Sequence, residues 1–149
     1  MLALVTVGAP ASGKSTWVKR TLPEHIRDVN LDTCREVVLG DARDQSRIGD
    51  VLTHRDALIQ GAARDGLDLV VSDTNLVPAF RQALEAMLTG LGYSVRYVLF
   101  DTPLEVCLSR NAARERQVPE DVIRRMHRQY LEQRGELLAR GAEIIAPGP

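Results

Sequence analysis

The chain predicts an α/β domain in which a parallel sheet of about five strands carries helices on both faces. Three observations predict it. Apolar, β-branched runs of strand length alternate with longer amphipathic stretches along the sequence. Three of those stretches open at Pro78, Pro103 and Pro119, a residue whose fixed φ suits the first turn of a helix. The first apolar run also passes straight into a glycine-bracketed loop with a helical segment behind it.

Leu2–Val7 reads as the first strand, and the segment from Ser15 to Arg20 as the first helix. Residues 25–30 form a second, shorter extended run, and Asn30 to Arg35 start a helical turn. Residues 46–64 set Ile48, Val51, Leu52, Leu58, Ile59 and Ala62 on roughly one face, as an amphipathic helix does. Residues 67–72 and 94–100 are dense in Val, Leu, Tyr and Phe, the composition of buried strands. Helices follow over 78–91, which closes near Gly90 and Gly92, then over 103–111 and 119–134, and residues 142–145 supply a last short strand. Residues 1–145 are expected to be one domain and 146–149 a disordered tail.

Composition narrows the function. With 149 residues, 44% hydrophobic and 26% charged, the chain is a folded globular protein with room for one catalytic domain. A net charge of -1 excludes a globally basic nucleic-acid binder, so a nucleic-acid substrate must be gripped by a local patch. One Trp, three Tyr and two Phe offer few stacking platforms for single strands. Cys34 and Cys107 lack metal-site spacing and read as reduced thiols of a cytoplasmic protein. No targeting segment or membrane-spanning run is expected, and the composition is compatible with a homo-oligomer. His25, His54 and His127 show no metal spacing either.

Chemistry enters at Gly8-Ala9-Pro10-Ala11-Ser12-Gly13-Lys14-Ser15, which fits G-x-x-x-x-G-K-[ST] without mismatch. Only a loop with little side-chain bulk lets backbone amides wrap a polyphosphate, and the helix behind it adds free N–H groups and a positive dipole end. Gly8, Ala9, Pro10, Ala11, Ser12, Gly13, Lys14, Ser15 and Thr16 are therefore the expected nucleotide-binding set. Within it Lys14 reaches the β- and γ-phosphates, and the Ser15 hydroxyl binds Mg²⁺. Lys14 and Lys19 are the only lysines among 19 basic residues, which suggests a need for a compact ammonium.

In open parallel sheets ligands lie beyond the carboxyl ends of the strands, so the residues there deserve inspection. After the second strand, Asp32 and Arg35 share one face of a helical turn. They read either as general base and substrate-phosphate clamp, or as an N-cap aspartate with a surface arginine. After the third strand, Asp73 stands where a Walker B acid would, holding Mg²⁺ or fixing an arginine; its bland alternative is a helix cap before Pro78. Arg110, Arg114 and Arg116 lie in a polar connection between two proline-started helices, as arginines of a mobile lid or of a solvated helix end. Arg124, Arg125 and Arg128 read as a solvated face.

At these residues the chain resembles the kinase domain of the bacteriophage polynucleotide 5′-hydroxyl kinase family, of the T-even type. The loop through Ser15-Thr16-Trp17, Asn30-x-Asp32 with Arg35, Ser72-Asp73-Thr74-Asn75-Leu76, and Arg110-Asn111 through Arg114 to Val118-Pro119 carry the resemblance. It implies an adenylate-kinase-like fold with a helical lid and transfer of the γ-phosphate of ATP, or another NTP, to the 5′-OH of a DNA or RNA end. Lys14 and Ser15 would hold ATP and Mg²⁺, Asp32 would be the base, Arg35 would bind the acceptor phosphate, and Arg114, with Arg110, would reach the nucleotide from the lid. Asp73 would buttress the site by binding metal or pairing with a lid arginine. Two rivals stand beside this reading: another hydroxyl acceptor, such as a hydroxymethylated base or a nucleoside, and a nucleotide-binding regulatory module or ATPase. No D-x-D-x-[TV] phosphatase motif occurs in the sequence.

Overall fold

Strand β1 (Leu2–Val7) lies at the centre of the sheet, where a continuous apolar run belongs. It pairs in parallel with β3 (Leu69–Val71) on one side and β4 (Ser94–Phe100) on the other, placing Leu4 opposite both Val70 and Arg96. β2 (Arg27–Val29) adds outside β3 and β5 (Glu143–Ile145) outside β4, giving the order β2-β3-β1-β4-β5. The computed structural model describes residues 1–145, so the tail expected at 146–149 lies outside the described residues.

An all-parallel sheet forces each connection to cross over a face, and six helices among the described residues do so. They are α1 (Lys14–Thr21), α2 (Leu31–Leu39), α3 (Ile48–Arg64), α4 (Pro78–Gly90), α5 (Leu104–Ala112) and α6 (Glu120–Ala139). Alternate strand residues Ala3, Val5, Val7, Leu69, Val71 and Leu99 meet Ile59 of α3, Leu84 and Leu88 of α4, and Tyr130 and Leu137 of α6 in the main core. Beside α1, Trp17 meets Phe100 edge to face at 5.6 Å between ring centroids.

The departures from the sequence reading have local causes. The second strand covers only 27–29 of the expected 25–30, because Ile26 closes a turn onto Pro23 and Asn30 leaves the strand to cap α2. β3 is likewise shorter than 67–72: Leu67 is bonded to Ala62 at the end of α3, and Ser72 lies just past the strand with its amide still donating to Val29 O of β2. The turn expected at Asn30–Arg35 extends to Leu39 and ends on Gly40, whose φ of 76° suits a residue without a side chain. Pro103 and Pro119 sit at the cap rather than inside their helices, and α6 runs on past Arg134 to Ala139.

Candidate active site

The loop between β1 and α1 is shaped by backbone that most residues avoid. Ala11 and Gly13 have φ of 62° and 104°, which turns successive amides toward one concavity, an anion-binding nest. Gly8 has no room for a side chain: a Cβ would stand 2.8 Å from Ser12 Oγ and 3.0 Å from Phe100 Cβ. Two later segments brace the loop. The Gly8 amide donates to Thr74 O at 3.2 Å, and the buried Thr102 hydroxyl, just past β4, donates to Ser12 O at 2.8 Å. Thr102 in turn is held by His127 of α6, whose Nε2 lies 3.1 Å from its carbonyl oxygen.

Lys14 is buried in this loop and folds its ammonium back onto Gly8 O at 2.9 Å, Ala9 O at 2.7 Å and Ser12 Oγ at 3.3 Å. Burial lowers its pKa to about 8, so the ammonium is still charged at neutral pH and held by uncharged acceptors. A phosphate oxygen entering the nest would compete with those carbonyls on better terms, since charge-assisted hydrogen bonds are the stronger kind. Ser15 and Thr16 are exposed in the first turn of α1, at its positive end.

At the head of α2 the cap is Asn30, whose side chain accepts from the Thr33 amide at 2.8 Å. That settles the bland reading of Asp32, which is not the cap and stands exposed in the first turn. Arg35 donates to Asp32 Oδ1 at 3.0 Å, and Arg116 approaches the same oxygen at 3.9 Å. Asp32 is also near enough for its charge to act weakly on Lys14.

Asp73 does not cap α4, whose start at Val77 has no side-chain cap. Its Oδ1 instead accepts from the Leu31 amide at 2.8 Å and ties the end of β3 to the first turn of α2. Its Oδ2 is buried without a hydrogen-bond partner, and burial raises the carboxyl pKa to about 6 against the Leu31 hydrogen bond and the Arg55 charge, which lower it. The cation that acts most on Asp73 is therefore Arg55 of α3, with Arg35 weaker, rather than an arginine of the lid. Sequence reasoning missed Arg55. The available signal was its place between Val51 and Ile59 on the apolar stripe of α3, an odd position for a charge without a polar partner. Asn75, with φ of 49°, completes the brace by donating to Thr6 O at 2.8 Å.

The arginines of the connection between α5 and α6 separate. Arg110 brings Nη1 to 3.3 Å from the point where a Cβ on Gly13 would lie, directly over the loop. Arg114 is exposed yet near enough to act on Lys14. Asn111 fixes the connection by exchanging hydrogen bonds with both backbone groups of Val118, at 2.8 and 2.9 Å. Cys34 and Cys107 are free and buried, and burial pushes both thiols up.

A strand, a nest with a buried lysine and a helix, set in a sheet of this order, define a P-loop domain of the kinase-like type. Its family follows from the sequence match: the AAA domain model covers residues 4–134, and the chain belongs to that family. Solved structures share the fold. A chain of the Pnkp1/Rnl/Hen1 RNA repair complex superposes with a TM-score of 0.79 at 20% identity, over 90% of this chain and 45% of that one. Shikimate kinase from Bacteroides thetaiotaomicron gives 0.61 at 18% identity, over 98% and 86%. The AvrRxo1-ORF1:-ORF2 complex with ATP gives 0.69 at 16% identity, over 93% and 50%. The chain thus spans half or less of the RNA-repair and AvrRxo1 chains. A nucleotide is the ligand that this fold implies. Among the described residues no helix is long and apolar enough to cross a membrane.

Proposed function

We propose that this domain, over residues 1–145, transfers the γ-phosphate of ATP or another NTP to the 5′-hydroxyl of a DNA or RNA end. The observation that carries the reading is the exposed Asp32 carboxylate, held by Arg35 at 3.0 Å and near enough for its charge to reach the Lys14 ammonium. A pure nucleotide switch needs neither a base nor a clamp on that side. Asp32 takes the proton of the acceptor hydroxyl as its oxygen bonds to the γ-phosphorus, and the bond from that phosphorus to the β–γ bridging oxygen breaks to release the diphosphate. Lys14 and the loop amides hold the phosphate charge, and Arg110 and Arg114 add to it from the lid. Arg35 holds the phosphate next to the acceptor hydroxyl.

Mg²⁺ fits the residues present. No cluster of three or more His, Cys, Asp or Glu among the described residues could hold a metal by itself, but Mg²⁺ commonly takes one or two protein oxygens and completes its shell with phosphate and water. The Ser15 hydroxyl and the unpartnered Asp73 Oδ2 are the groups suited to it. When bound, it would neutralise charge on the β- and γ-phosphates.

The test is label transfer from γ-labelled ATP to a panel of acceptors: DNA and RNA oligonucleotides with free 5′ ends, nucleoside 3′-monophosphates, bare nucleosides, DNA with hydroxymethylated bases, and small hydroxyl acids. Label on the 5′ ends is expected, with 3′-monophosphates well ahead of bare nucleosides. Label on an internal base or a small acid while 5′ ends stay blank would move the acceptor elsewhere. Release only as inorganic phosphate would make the protein an ATPase.

A further inference from the structure

Three arginines crowd the lid, but they address different partners. Arg110 lies over Gly13, and Arg114 is near enough for its charge to act on Lys14, which puts both beside the phosphate loop. Arg116 has other partners: its Nη2 stands 3.9 Å from Asp32 Oδ1 and donates to Ala42 O at 3.2 Å, spanning to α2 and to the connection between α2 and α3. A cavity of about 450 Å³ opens on the same guanidinium, lined by Glu36, Gly40, Asp41, Ala42, Arg43 and Arg116. Its lining balances two carboxylates against two guanidiniums, so it offers donors and acceptors to the uncharged edge of a nucleoside rather than a uniformly positive bed for a run of phosphates.

From this we infer that the lid is divided between the substrates: Arg110 and Arg114 serve the donor phosphates, and Arg116 serves the acceptor as the positioning residue of Asp32, beside a cavity that receives the acceptor nucleoside. The inference deepens the phosphotransferase reading above and rests on it. Arg116 and Asp32 are 39% and 63% exposed, and an ion pair so exposed contributes little to stability, so its effect is on orientation. Both Arg35 and Arg116 address Oδ1 of Asp32, which leaves Oδ2 to receive the hydroxyl proton. Closing the lid over the nucleotide then also sets the base, which couples donor binding to acceptor activation.

Steady-state kinetics on the full chain test the division, with ATP and a nucleoside 3′-monophosphate varied separately for Arg116→Ala, Arg116→Lys and Arg114→Ala. Arg116→Ala should raise the acceptor KM about tenfold and lower kcat while the ATP KM stays within about twofold, and Arg116→Lys should recover part of the loss. Arg114→Ala should show the opposite split. Equal effects of Arg116→Ala on both substrates, or none on either, would overturn the inference. Hydrogen exchange on the free protein separates this failure from failure of the reaction itself. Arg116→Ala should speed exchange across residues 40–47 and at the head of α2 without changing residues 8–15, whereas Arg114→Ala should leave 40–47 as they are. If the wild type labels no acceptor, the phosphotransfer reading falls and the exchange pattern decides; unaltered protection of 40–47 in Arg116→Ala would then sink the division of the lid.

Discussion

The phosphate loop is held by backbone groups and buried side chains, whereas the face opposite it consists of exposed side chains from separate segments. Lys14 is buried and its ammonium has three protein acceptors within the loop. Asp32, across the mouth, is 63% exposed and held through one oxygen by two arginines. A donor common to many reactions can be bound by a rigid, contiguous motif. Acceptors differ, and the side proposed to meet them is built from exposed side chains over a helix start fixed by Asn30.

Removing Lys14 should break the comparison most severely. Lys14→Ala should reduce phosphotransfer by about three orders of magnitude, the scale of losing a preorganised charge donor. Its melting temperature should stay near that of the wild type, because the deleted ammonium is itself desolvated. A folded Lys14→Ala protein with normal rates would remove the nucleotide assignment.

Asp32→Asn comes next, with kcat expected to fall roughly 100-fold and ATP affinity little changed. Since Asn30 is the cap, this substitution should leave α2 intact, and a lowered melting temperature with normal kcat would contradict the assignment of the base.

Asp73 sharpens the comparison through pH. Its carboxyl titrates near 6 in the folded chain, above the ordinary value of about 3.9 for an unfolded aspartate. The folded state therefore binds this proton more tightly, and the contribution is present below about pH 4 and lost as pH rises through about 6. In EDTA, the stability of the wild type relative to Asp73→Asn should fall by about 2 to 3 kcal/mol over that window, as read from urea melts. A flat difference would show that the carboxyl is not held in a desolvated place.

The smallest effect belongs to Asn30→Ala, which should cost about 1 kcal/mol of stability and lower kcat only through a looser α2 start. A kinetic loss as large as that of Asp32→Asn would mean that Asn30 contacts the substrate.

The donor half was legible in the sequence because its parts are contiguous: one strand, one motif and one helix state the loop without reference to the rest of the chain. The sheet was legible from alternation, although its short edges were not, since β2 and β3 are trimmed by turns and caps that propensity does not weigh. What escaped was pairing across the fold. Asp73 could be placed at a strand end, but nothing local says that its oxygen meets the Leu31 amide or that the charge of Arg55, paired with Asp56 on α3, reaches it. Thr102 escaped for the same reason, as did the partners of Arg116, which was named among the arginines of its connection but not paired with Asp32 or Ala42.

The braces on the phosphate loop also set an order of events during synthesis. Gly8 needs the carbonyl of Thr74 and packs against Phe100, Ser12 is held by Thr102, and β1 has no neighbours until β3 and β4 exist. The motif is translated before its braces, and those braces are complete only when residue 102 has been added, about 4 to 17 s after the motif at ordinary elongation rates. Until then the segment has the right letters and the wrong shape. Nucleotide has no partial chain to rescue, and whatever its binding contributes to stability goes to the completed sheet as a whole.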